Sequence, residues 1–130
     1  MKHGILGLHH IAIICKDYSV SKNFYIDFLG FSLIKEEFRE NRNSWKADLA
    51  LNENYIIELF SFPNSVERPS YPESLGLRHL AFSSNDIMAT KISLENEGII
   101  AEKIRIDEST GKSFFFISDP DGLPIEFYEK

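Results

Sequence analysis

The sequence predicts an α+β fold: two tandem β-α-β-β-β modules forming one curved eight-stranded sheet, with helices on its outer face. Three observations lead there. The run Leu77-Arg78-His79-Leu80-Ala81-Phe82 repeats Leu8-His9-His10-Ile11-Ala12-Ile13 about half a chain later. A second pair of runs, Ile56-Ile57-Glu58-Leu59-Phe60 and Pro124-Ile125-Glu126-Phe127-Tyr128, recurs at almost the same offset. Asp17 and Gly30 of the first half also fall in register with Asp86 and Gly98 of the second. The competing reading is an ordinary α+β domain whose halves agree by chance. His, Asp, Gly and Glu all in register favour duplication.

The elements follow from local pattern. Residues 8–14 form an Ile-rich run that reads as a buried strand. Asp17 or Ser19 caps the next helix, whose apolar stripe is Tyr18, Val20, Phe24, Tyr25 and Phe28, and Gly30 stops it. Strands are expected at 31–38, 44–51 and 55–60, with Asn41-Arg42-Asn43 and Asn52-Glu53-Asn54 as the turns. Pro63, Pro69 and Pro72, among several serines, mark a linker at about 63–76. The order then restarts: a strand at 78–83, and a helix capped by Asn85 or Asp86 that runs to about Glu97. Strands follow at 102–106, 113–117 and 124–128, the last two joined by the turn Asp119-Pro120-Asp121-Gly122. Module one spans about 6–62 and module two about 77–130, within one domain covering 1–130. A module of this size alone sits near the lower limit for burying a core, so pairing is the natural solution.

Composition bounds the function. With 130 residues, 43% of them hydrophobic and 11 of them Phe, the chain can bury a sizeable core. A net charge of −6 argues against nucleic acid and anionic membrane as partners, because both need a basic surface. Cys15 is the only cysteine, so no intrachain disulfide is possible; its apolar run reads as burying an unreactive thiol. His9 and His10 interrupt the short apolar run near the start, which therefore reads as neither secretory signal nor membrane span. A cytoplasmic protein acting on a small molecule is expected.

The chemistry lies in two His and two Glu residues. Alternation along a strand puts His10 with Ala12 and Ile14, and Glu58 with Ile56 and Phe60. The opposite sets, including Tyr55, Ile57 and Leu59, are more uniformly apolar and suit the helix-packed side. The His10 and Glu58 faces would line a concave inner surface, and His79 and Glu126 would do so in module two. A carboxylate in an apolar strand is costly to bury unless it is paired or binds a metal. Two imidazoles and two carboxylates placed symmetrically suit one divalent cation, with positions left for water or substrate. His3 and His9 are weaker candidates; His9 stands where the repeat has Arg78.

Tandem β-α-β-β-β modules with His-h-Ala-h and h-Glu-h strands, where h is a hydrophobic residue, and an Asp-Pro-Asp-Gly turn resemble the vicinal oxygen chelate superfamily. This is the glyoxalase I, bleomycin-resistance and extradiol dioxygenase group. The resemblance covers residues 6–129 and is closest to short bacterial glyoxalase I-like proteins, the lactoylglutathione lyase-like members. It implies His10, Glu58, His79 and Glu126 as ligands of one divalent ion per site: Ni, Co, Zn or Mn. Extradiol dioxygenases and thiol transferases of the family use three protein ligands, and bleomycin-binding members lack the metal set. A fourth ligand, Glu58, instead implies glyoxalase I or acyl-CoA epimerase chemistry, in which a proton moves next to a carbonyl through an enediolate.

For glyoxalase I the substrate would be the hemithioacetal of a 2-oxoaldehyde and a thiol, with Glu126 or Glu58 as the base. Asp48 joins them if the third strand turns Ser44, Lys46 and Asp48 inward rather than toward solvent. Arg39, Arg42, Lys46 and Arg68 are the cations placed to meet substrate carboxylates, with Trp45 and Phe114-Phe115-Phe116 as walls. Alternatives are an acyl-CoA epimerase, a thiol transferase, a dioxygenase or a non-catalytic small-molecule-binding resistance protein. Family habit also implies a homodimer, with the site completed within one chain or across an interface.

Overall fold

The computed structural model describes residues 2–130, and the chain divides into two compact units between Val66 and Glu67. In the first unit, β1 (Ile11–Cys15) leads into α1 (Tyr18–Asn23), followed by β2 (Ser32–Arg39), β3 (Ser44–Leu51) and β4 (Asn54–Ser61). In the second, β5 (Leu80–Ser84) leads into α2 (Ile87–Asn96), followed by β6 (Arg105–Ile106), β7 (Ser113–Ser118) and β8 (Pro124–Glu129). The β-α-β-β-β order therefore appears twice. The expected eight strands hydrogen-bond as two four-stranded sheets, ordered β1-β4-β3-β2 and β5-β8-β7-β6, rather than as one eight-stranded sheet. In each, the first strand lies parallel to the last and the hairpin strands run antiparallel.

Of the two candidate caps for each helix, the structure uses Asp17 and Asp86. The Asp17 carboxylate accepts from the Val20 N–H at 3.2 Å, and Asp86 from the Ala89 N–H at 3.0 Å. Each satisfies one of the N–H groups that a helix start leaves without an internal partner. The Asp86→Ala chain is expected to lose about 1 kcal/mol of stability, read as an earlier urea unfolding midpoint. A midpoint equal to the parent's would mean that the cap does not hold α2. α1 departs from the expected regular helix: it passes into a wider π turn, Phe24–Phe28. Gly30 (φ 83°) and Gly98 (φ 88°) end the two helical segments in the left-handed region, where a side chain would be strained.

Alternation sorts each sheet into a buried and an open face. Ile13, Cys15, Ala47, Leu49, Ile57 and Leu59 are buried, together with Phe24 and Tyr25. The second unit buries Leu80, Phe115, Ile117 and Ile125 with Ile87 and Leu94 of α2. Cys15 is 1% exposed, as expected of a structural thiol. The β7–β8 turn is built by Asp119, whose carboxylate accepts from the N–H groups of Asp121 (2.8 Å) and Leu123 (2.9 Å). It fixes a regular register in which Phe116 lies opposite Glu126. Among the described residues, no helix is long and apolar enough to cross a membrane.

Candidate metal centre

The parallel pairs place the two His–Glu sets. Ala12 is the register partner of Glu58, and Ala81 that of Glu126. Each His stands two residues upstream of that alanine, on the same strand face. The residue opposite each Glu carries only a methyl group, which leaves room for imidazole and carboxylate to approach. His10 Nε2 is 3.4 Å from Glu58 Oε2, and His79 Nε2 is 3.3 Å from Glu126 Oε1. The second pair reproduces the first within 0.1 Å, as a duplicated module should.

These spacings fit a shared cation. Two ligands each held about 2.0–2.2 Å from one ion stand roughly 3.0–3.5 Å apart at tetrahedral or octahedral angles. Nitrogen and carboxylate oxygen together suit a borderline divalent transition metal. Each module offers two such donors. Among the described residues, no three His, Cys, Asp or Glu side chains gather as a metal cage.

The surroundings of the two pairs differ. In the first unit Asp48 is the register partner of Glu58 and Lys46 that of Phe60, so the polar side of β3 shares the Glu58 face. Lys46 Nζ lies 3.7 Å from both Asp48 Oδ1 and Glu58 Oε2. The Tyr55 hydroxyl stands 2.8 Å from Glu58 Oε2 and 3.1 Å from Asp48 Oδ1, and its ring stacks on His10. Burial, followed by these two carboxylates, pushes the Tyr55 hydroxyl well above the ordinary phenol range, so it stays a donor. His9 Nδ1 lies 2.8 Å from His10 Nδ1, an arrangement in which one ring donates and the other accepts. In the second unit, the positions matching Lys46 and Asp48 are Phe114 and Phe116. Phe116 meets His79 edge-on, with ring centres 5.0 Å apart.

Tyr55 corrects the alternation argument, which had placed it on the buried face away from Glu58. Leu49 pairs with Ile57 but Ala50 pairs with Tyr55, so Ile56 is an extra residue in β4. This bulge shifts the phase of the strand and swings Tyr55 onto the Glu58 face. The β7–β8 ladder has no such shift.

The remaining expected residues separate. Arg39 reaches the Glu58 face: its guanidinium lies over Phe60 (4.9 Å) and donates to Ser44 Oγ at 3.2 Å. Arg42 lies over Phe62 at 5.3 Å. Trp45 does not join them. It stacks on Tyr18 and meets Phe38, because alternation sets it on the opposite side of β3 from Lys46. Arg68 donates to the Arg78 carbonyl at 2.9 Å, so it braces the backbone leading into His79. Within the Phe114-Phe115-Phe116 run, Phe115 is core while its neighbours take the Glu126 face.

Comparison with known proteins bears on the family and the fold. Residues 7–127 match the model of the Glyoxalase/Bleomycin resistance protein/Dioxygenase superfamily. The uncharacterized protein YaeR of Escherichia coli is 59% identical over 127 residues, 98% of each chain. A glyoxalase family protein from Enterococcus faecalis has a crystal structure that superposes with a TM-score of 0.89 at 42% identity. That match covers 99% of this chain and 100% of the other. Glyoxalase I of Saccharomyces cerevisiae is 28% identical over 93% of this chain, which spans 44% of that protein. With the match running from before β1 into β8, the chain belongs to the glyoxalase/bleomycin resistance protein/dioxygenase superfamily.

Proposed function

We propose that this protein is a metal-dependent isomerising enzyme of the glyoxalase I type, acting on the hemithioacetal of a 2-oxoaldehyde and a thiol. The observation that carries the reading is the repeated His–Glu pair, twice at the spacing of two ligands of one cation. Each repeat contributes one donor pair, His10 with Glu58 and His79 with Glu126. When bound, the divalent ion supplies Lewis-acid stabilisation for charge developing on the substrate oxygens.

The chain's own residues do the rest. Glu126 takes the carbon-bound proton and returns it to the neighbouring carbon, while the hydroxyl proton passes to the former carbonyl oxygen, so the hemithioacetal becomes a 2-hydroxy thioester without net gain or loss of atoms. Glu126 suits that role better than Glu58: its one ion pair among the described residues is with His79, and it has no lysine or tyrosine hydroxyl bonded to it as Glu58 has. Glu58 is tied to Tyr55 and Lys46 and suits the role of a fixed ligand. The guanidiniums of Arg39 and Arg42 present donors for substrate carboxylates.

The test is metal content followed by turnover. Dialysis against Ni, Co, Zn or Mn is expected to load one ion per site. Loaded protein is then expected to convert methylglyoxal in the presence of one of several thiols, but not malonyl-type thioesters or catechols. Turnover of a thioester or a catechol instead would move the protein to another chemistry of the family. Failure to bind any of the four metals would overturn the reading.

A further inference from the structure

We propose that Tyr55 is a positioning residue for Glu58, brought to it by the bulge in β4 and serving the module-one pair alone. This rests on the reading of Glu58 as a metal ligand. One phenol proton faces two carboxylates, 2.8 Å from Glu58 Oε2 and 3.1 Å from Asp48 Oδ1. Two such carboxylates, register partners across β3 and β4, would repel each other if nothing lay between them. The hydroxyl bridges them, and the Lys46 ammonium sits 3.7 Å from each.

Glu58 is thereby held against His10 from its own strand. A carboxylate oxygen has lone pairs for a hydroxyl donor and a cation together, so the phenol does not displace a metal. The ring adds a second restraint, lying parallel to the His10 imidazole with centres 5.7 Å apart. Tyr55 therefore touches both donors of the pair, the imidazole with its face and the carboxylate with its hydroxyl.

The duplication supplies an internal control. Positions 46 and 48 correspond to Phe114 and Phe116, and the β7–β8 ladder runs without a bulge. In module one the bulge and a phenol bonded to the pair's carboxylate occur together; in module two the ladder is regular and the Tyr128 hydroxyl, on the Glu126 face, donates to Asp107 at 2.9 Å instead. A bulge weakens the ladder where it occurs, and such features commonly re-aim a side chain beside a site. Here the side chain it re-aims is Tyr55.

Cobalt(II) titrated into the full chain, followed by calorimetry and by its visible absorption, tests the proposal without turnover. Y55F keeps the ring and removes only the hydroxyl. It is expected to fold, to bind cobalt about 10–100-fold more weakly, and to shift the cobalt absorption bands. In an E58Q background the same change is expected to cost about twofold at most, since Tyr55 acts through the Glu58 carboxylate. An equal loss in both backgrounds would overturn the proposal, as would parent affinity and spectrum in Y55F beside impaired binding in E58Q. A Y55F chain that does not fold would make the hydroxyl a structural prop and overturn it too. If H10A and E58Q both bind cobalt like the parent, the metal reading itself fails, and the proposal with it.

Discussion

Glu126→Gln is expected to lower kcat for the hemithioacetal by about 10²–10⁴-fold, the usual contribution of a positioned general base. The amide copies the shape of the carboxylate and can still meet His79 Nε2, which lies 3.3 Å from Glu126 Oε1. It cannot accept a proton from carbon. It is also a neutral ligand, so metal affinity falls as well, and kcat must be compared at saturating metal. Under those conditions KM should change little, because the loss lies in the proton-transfer step. Glu58→Gln is expected to behave the other way round, with weaker metal binding and a smaller loss of kcat once the site is loaded. Two control measurements separate the roles: solvent-deuterium incorporation into product and metal content after dialysis. An E126Q protein that turns over at the parent rate with full metal would remove Glu126 from the chemistry.

Much of this arrangement is legible in the sequence, because period-two alternation and duplication are both local signals. The strand cores Ile57, Leu59 and Ile125, the aspartate caps and the closing glycines all follow from residue type and position. So does the approach of each His to its Glu, since Ala12 and Ala81 leave the space open. Tyr55 escaped for a definite reason. Ile56 and Ile57 are both apolar β-formers, and nothing in their chemistry says which one is extra in the ladder. One inserted residue inverts the facing of everything beyond it. The tight turn at Asn52 and Glu53, where φ is 49° and 70°, is the signal that could have found it. A two-residue turn of this kind pairs Leu51 with Asn54, and counting back from there puts Ala50 opposite Tyr55.

Trp45 was a different kind of miss. It cannot share a face with Lys46 on a regular strand, so alternation alone excludes one of them once the other is placed. Arg68 shows the limit of reading charge by position, because its carbonyl partner Arg78 is brought near only by the path of the linker.

The faces of β7 give the sharpest structural test, because adjacent residues of one type are expected to respond very differently. Phe115 is fully buried, stacked on Phe127 with ring centres 5.2 Å apart, in the core that holds Ile117 and Ile125. Phe115→Ala removes that packing and leaves a cavity, at a cost of about 3–5 kcal/mol. Phe116 is only partly buried, and its edge contact is with His79 rather than with core side chains. Phe116→Ala is expected to cost about 1 kcal/mol, near the value of one aromatic pair. Urea unfolding followed by far-ultraviolet circular dichroism reads both changes. The order reverses for the metal. F116A frees the His79 ring from its packing and is expected to weaken cobalt binding several-fold. F115A protein that is still folded should bind like the parent. Similar stability losses in both variants, or a larger loss in F116A, would mean that β7 does not divide core from site as described. The placement of the His79–Glu126 pair on the open face would then be wrong.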